Sequence, residues 1–166
     1  MRFAAPAAAL SLCLAMTASI SLAGGAGAPD PRAEVLIAQG QAALAAGETG
    51  AAVDAFEAAL AVDPGHTPIF IDLAEAARRQ GLQGKAIRYY REALERDPGN
   101  FAAISGEGAA LVEKGAVEKA KRNLAKLQSL CGDACPETVA LQSTIARGAP
   151  ARLAVESSAD STPASN

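Results

Sequence analysis

Two Asp-Pro-Gly turns, "DPGH" ending at His66 and "DPGN" ending at Asn100, set Pro64 and Pro98 34 residues apart. Other residues keep that step. Gly47, Gly81 and Gly115 form one column, and Ala52, Ala86 and Ala120 form another. Gly40, Ala74 and Gly108 are all small, whereas Phe56, Tyr90 and Leu124 are all bulky. Ala59 and Ala93 match, with Leu127 in the third place. Independent columns at one spacing mark stacked repeats, in which each unit leans on its neighbour to bury its apolar side.

Within each unit the apolar residues recur at helical steps. Ala52, Val53, Phe56, Ala59 and Leu60 make one stripe, and Ala86, Ile87, Tyr90, Ala93 and Leu94 repeat it. These spacings keep the side chains on one face of an α-helix. A first helix in each unit carries Leu36-Gly40-Ala43, Phe70-Ala74-Ala77 and Ile104-Gly108-Leu111. Gly47, Gly81 and Gly115 follow these first helices, where a left-handed residue lets the chain reverse. Pro64 and Pro98 stop the second helices, because proline restricts the residue before it and donates no backbone hydrogen bond. After Pro136, Thr138, Leu141 and Ile145 continue the helical spacing. The pattern predicts an all-α protein of seven helices.

These columns resemble the tetratricopeptide repeat, a helix–turn–helix unit of 34 residues. The resemblance covers 33–66, 67–100 and a degenerate third unit, 101–134. Phe70, Leu73, Ala74, Gly81, Ala86, Tyr90, Ala93 and Pro98 fill the family's marked places best. Gln39 and Glu107 depart from it where unit two has Leu73, and unit three has Leu124 in place of the aromatic and Gly132 in place of the proline. The resemblance implies a right-handed superhelix of three repeats closed by a capping helix over 136–147, the domain spanning 33–147. It also implies that small residues let helices approach while Phe56 and Tyr90 fill the gap between them.

The ends of the chain read differently. "MRFAAPAAALSLCLAMTASISLAGGAGAPD" carries one charge, Arg2, before Asp30. That is the positive start, apolar middle and small-residue exit of a secretory signal over 1–23, with a linker over 24–32. An uncleaved membrane anchor is the alternative. Cleavage would remove Cys13 and leave Cys131 and Cys135, an even pair in an exported chain where a disulfide is permitted. The stretch 148–166, rich in Ala, Ser and Pro without sustained periodicity, is expected to be a disordered tail. A formal net charge of −3 gives no overall pull on nucleic acid or on anionic lipid.

Chemistry has few places to reside. "CGDAC" is the one reactive constellation: a structural disulfide pinning the cap is the leading reading, and a redox thiol pair the alternative. Its spacing lacks one feature of haem attachment, a histidine after Cys135, and His66 is too isolated to complete a metal site. His66 is also the only histidine, so any Ser-His-Asp or Cys-His arrangement would have to run through an inter-repeat turn. Gly106-Glu107-Gly108 echoes a phosphate loop, but no strand precedes it. Lys119, Arg122 and Lys126 form a basic stripe without interleaved aromatics, the pattern of a solvated face.

The expected function is therefore a non-enzymatic interaction module, of small exported bacterial type, working without cofactor or metal in the periplasm or outside the cell. Its partner would be a protein or peptide, with no nucleic acid and no membrane insertion once the signal is cleaved. In the family the resemblance names, first helices line a concave groove. Carried over, that face is Ile37, Gln41, Leu44, Ile71, Glu75, Arg78, Arg79, Ser105, Ala109 and Val112. Arg78 and Arg79 are the expected specific contacts, since guanidinium forks toward carboxylates. The family's clamp for a C-terminal carboxylate uses Lys and Asn residues, a set this groove lacks. The alternatives are an extracytoplasmic thiol redox or chaperone-like factor using Cys131 and Cys135, and a membrane-anchored structural subunit of an envelope complex.

Overall fold

The computed structural model describes residues 27–159, with side chains described through residue 148. The expected signal, 1–23, lies outside the described residues, as does the start of the linker. Seven helices follow in order: α1 (Pro31–Ala45), α2 (Thr49–Val62), α3 (Pro68–Arg79), α4 (Gln83–Arg96), α5 (Phe101–Glu113), α6 (Val117–Cys131) and α7 (Pro136–Ala159). They pair as three hairpins, α1/α2, α3/α4 and α5/α6, with α7 laid over α5 and α6. This is the superhelix of three repeats and a capping helix.

Both ends of the repeat stack depart from the sequence reading. The first helix starts at Pro31, inside the stretch 24–32 assigned to a linker. Asp30 explains the earlier start: its side chain accepts from the Arg32 N–H at 2.8 Å, and proline suits a first helical position. At the other end, α7 runs past residue 147 to Ala159, through stretch 148–159 assigned to the disordered tail. Residues 151–156 are mostly strong helix formers, a local preference that needs no apolar periodicity.

The hairpin turns form for the reason the glycine column suggests. Gly47, Gly81 and Gly115 have φ of 82°, 74° and 84°, and no other residue type takes positive φ among the described residues. Each closes the same pair of bonds onto the helix before it. In the second unit the Gly81 N–H donates to the Arg78 carbonyl at 2.9 Å and the Leu82 N–H to the Ala77 carbonyl at 2.9 Å. Carbonyls that the helix end would leave unpaired are satisfied in this way. At the inter-repeat joints, His66 and Asn100 donate backbone N–H bonds back to the Asp63 and Asp97 carbonyls, at 3.3 and 3.1 Å.

The core lies between units as much as within them. Phe56 is fully buried with Ala52 from its own hairpin and Ile69, Leu73 and Ala76 from the next. Burying such a ring stabilises by about 1.5–3 kcal/mol. A Cβ added at Gly40 would stand 2.5 Å from the Phe56 ring, so the small and bulky columns meet as expected. One unit further on, Tyr90 presses against Gly106, and Gly108 faces Leu141 of α7. Leu141 thus fills, from the cap, a space that Leu124 does not. Thr138 and Leu141 are buried and Ile145 packs beside them, fixing α7 as the lid of the stack.

Glu107, the departure from the family pattern, is buried and paired. Arg91 Nε donates to its Oε1 at 2.7 Å and Asn123 Nδ2 to its Oε2 at 3.0 Å, which ties α5 to α4 and α6. Further links cross between units at the outer edge. Arg96 donates to the Pro64 carbonyl at 2.6 Å while its guanidinium lies 4.2 Å from the Phe70 ring centroid. Lys126 donates to the Pro98 carbonyl at 2.9 Å.

Candidate functional site

A groove of about 490 Å³ lies between α3, α5 and α7. Its first wall is the α3 face carrying Ile71, Asp72, Glu75 and Arg78. Helical steps of three and four put these side chains on one side. The opposite wall is Ala102, Ser105 and Gly106 of α5, and α7 contributes Pro136, Glu137 and Ala140. Tyr90 reaches in from α4, its hydroxyl 3.5 Å from Glu75 Oε2. The ring can pass because Gly106 has no side chain to block it.

The residues expected on the concave face divide. Ile71, Glu75, Arg78 and Ser105 line the groove together. The three expected from α1 are not among the lining residues: Leu44 is buried in the core, Ile37 packs against that core, and Gln41 is exposed, reaching the groove only through Asp72. Leu44 is drawn inward into the cluster that α1 forms with Phe56 of α2 and with Ile69, Leu73 and Ala76 of α3. Ala109 and Val112 lie deeper along α5, where Val112 packs against the second unit's core. Asp72, Ala102, Gly106, Pro136, Glu137 and Ala140 complete the site without having been singled out. Asp72 lies three residues before Glu75, a spacing that was available in the sequence. The α7 residues were hidden because 136–147 reads as a lid, whose apolar stripe marks only the side facing the core.

Arg78 and Arg79 are both engaged within the chain. Arg78 Nη2 lies 2.6 Å from Glu113 Oε1 and its Nε 3.3 Å from Oε2, while Nη1 lies 2.8 Å from Glu75 Oε2. Burial opposes the Arg78 charge, but the Glu113 hydrogen bonds and the Glu75 carboxylate outweigh it and raise its pKa. Arg79 pairs with Glu75 Oε1 at 3.1 Å and donates to the Leu44 carbonyl at 2.8 Å. That carbonyl ends α1, where the helix dipole welcomes a cation. The two arginines therefore brace unit two to units one and three, rather than standing free as forked donors.

Other groups in the groove are less well matched. Burial pushes the Asp72 carboxyl up to about 6, against weaker opposing pulls from Gln41 and the charge of His66. Burial likewise lifts the Tyr90 phenol to about 12, keeping it a protonated donor. The Ser105 hydroxyl donates to the Glu137 carbonyl at 3.2 Å, joining α5 to the first turn of α7. Beside that turn, Cys131 and Cys135 bring their sulfurs together with Cα atoms 5.7 Å apart, a span that a disulfide can bridge. His66 sits in its inter-repeat turn, half-buried, away from both cysteines in the chain.

Comparison with known proteins gives consistent relatives. The family described as "Tetratricopeptide repeat" matches residues 37–101 and 71–125. No curated protein sequence matches the chain. Among solved structures, the Sgt2 TPR domain from Aspergillus fumigatus is 24% identical with a TM-score of 0.66, covering 84% of this chain and 89% of that one. The first TPR of Spaghetti (RPAP3), bound to the HSP90 peptide SRMEEVD, is 21% identical with a TM-score of 0.64, covering 74% and 97%. PcrH, in complex with the chaperone binding region of PopB, is 20% identical with a TM-score of 0.61, covering 74% and 98%.

Proposed function

The chain belongs to the tetratricopeptide repeat family, and from that premise we propose that it is a non-enzymatic interaction module of the bacterial cell envelope. Its groove between α3, α5 and α7 holds a peptide or a partner helix. The observation that carries this reading is the groove itself: a 490 Å³ hollow whose walls come from three helices with fixed spacing. Its floor mixes apolar side chains with a few oriented polar groups, the usual make-up of a recognition site. Two similar structures hold partners, Spaghetti an HSP90 peptide and PcrH a region of PopB, which supports a recognition role here.

Export to the periplasm is part of the proposal and rests on the signal-like stretch 1–23. In that compartment Cys131 and Cys135 form a disulfide that pins α7, and with it one wall of the groove. Groove blocking tests the reading. Ala102 is exposed at the groove wall, so Ala102→Trp fills the hollow without entering the core. Partners captured from an envelope extract by the native chain are expected to be lost by this variant. An unchanged set of partners would contradict groove binding.

A further inference from the structure

The partner's chemistry follows from how the charges in the groove are already spent. Resting on the recognition role above, we propose that the groove accepts a peptide segment presenting a lysine or arginine side chain flanked by small apolar residues, the cation facing Asp72 and Glu137. The apolar part of the match comes from Ile71, Ala102, Pro136 and Ala140.

The one cation lining the groove among the described residues, Arg78, is committed. Arg78 faces Glu113 with two nitrogens and Glu75 with a third. Arg79, at the same end, is shared between Glu75 and the Leu44 carbonyl. An acidic ligand would have to displace these carboxylates from partly buried guanidinium groups. By contrast, neither Asp72 nor Glu137 makes a salt bridge among the described residues. Among the described residues the side chain of Glu137 has a single near polar neighbour, Cys135 Sγ at 3.1 Å, and Asp72 is met by the uncharged Gln41 side chain and, more weakly, by the charge of His66. Asp72 and Glu137 lie on different helices, so a cation entering the groove meets carboxylates from two walls. Asp72 is also partly withdrawn from water, and a carboxylate in that position gains most from an arriving opposite charge. Complementary charge of this kind decides which partner binds more than how tightly any partner binds.

The test uses the full chain on an array of short peptides of varied composition. Peptides with Lys or Arg between Ala, Val or Leu residues are expected to be retained. Their affinity is expected to fall about tenfold in Asp72→Asn/Glu137→Gln, whose side chains keep their shape, and to weaken as salt is raised. Helical circular dichroism checks that this variant folds, and the salt dependence of the native chain stands as a second measurement if it does not. Retention of acidic or neutral peptides, lost on Ala102→Trp, overturns the cation preference and leaves the groove as a recognition site. Absence of any peptide binding sensitive to Ala102→Trp overturns both.

Discussion

Arg78 of the second repeat and Glu113 of the third are joined by two hydrogen bonds, at 2.6 and 3.3 Å, across 35 positions of sequence. Forked pairing of this kind fixes geometry as well as charge. The same guanidinium holds Glu75, so one side chain sets the distance between α3 and α5 at the end of the groove. Removing it would leave two carboxylates facing each other. Arg78→Ala is expected to lower stability by on the order of 1–2 kcal/mol, since the pair is about a quarter to a third exposed. Arg78→Lys should restore part of this, because an ammonium cannot reproduce the fork. Urea unfolding followed by circular dichroism measures both, and stabilities equal to the native chain would remove the bracing role.

The close approach of Gly40 to Phe56 gives a second expectation. A methyl group at residue 40 would meet the ring at 2.5 Å, and the fully buried ring has nowhere to retreat. Gly40→Ala should therefore cost about 1–3 kcal/mol, the range for overpacked cores. Gly50→Ala, in α2 with open space around it, should raise stability by up to about 1 kcal/mol. Thermal denaturation of the two variants separates a packing effect from simple helix propensity. Equal shifts would deny the close approach.

Asp72 predicts a pH dependence of unusual sign. Its carboxyl titrates near 6 in the folded chain against an ordinary 3.8, so the folded state binds more protons between these values. Stability from this group is therefore highest below the window and falls as pH rises through it. Asp72→Asn should remove that slope and stabilise the protein at neutral pH by on the order of 1 kcal/mol, after allowing for partial exposure. Unfolding measured at about pH 5 and about pH 8 checks this, and an unchanged slope in the variant would place the titration elsewhere.

A disulfide between Cys131 and Cys135 would close a short loop between α6 and α7. Short loops give disulfides at the low end of their effect, on the order of 2 kcal/mol. Reductant should therefore lower the melting temperature modestly. Mass spectrometry of the exported protein should show the mass lowered by one disulfide and the signal removed. Readily titrated free thiols would instead favour a redox role, and an intact N-terminus would favour an anchor.

The repeat architecture could be read from sequence because it is carried by local and periodic signals. A glycine column demands positive φ, Asp-Pro-Gly ends a helix, and 34-residue spacing copies both. The groove was only partly legible because a charged side chain does not announce its partner in sequence. Arg78 and Arg79 looked like free forks until Glu113, a whole repeat away, and the Leu44 carbonyl came into contact with them. Leu44 had the right register for the concave face, yet it is taken into the core that α1 shares with α2 and α3. Glu107 looked like a flaw in the pattern, whereas Arg91 and Asn123 make it a buried link. Pairings between repeats have no fixed sequence distance, so periodicity alone does not reveal them.

Photo-crosslinking tests the recognition role most directly. A photoreactive side chain placed at Ala102, on the groove wall, is compared with one at Lys119, exposed on α6 outside the groove. A partner from the envelope is expected to be trapped from position 102 and not from position 119. Trapping from 119 with none from 102 would contradict binding in the groove.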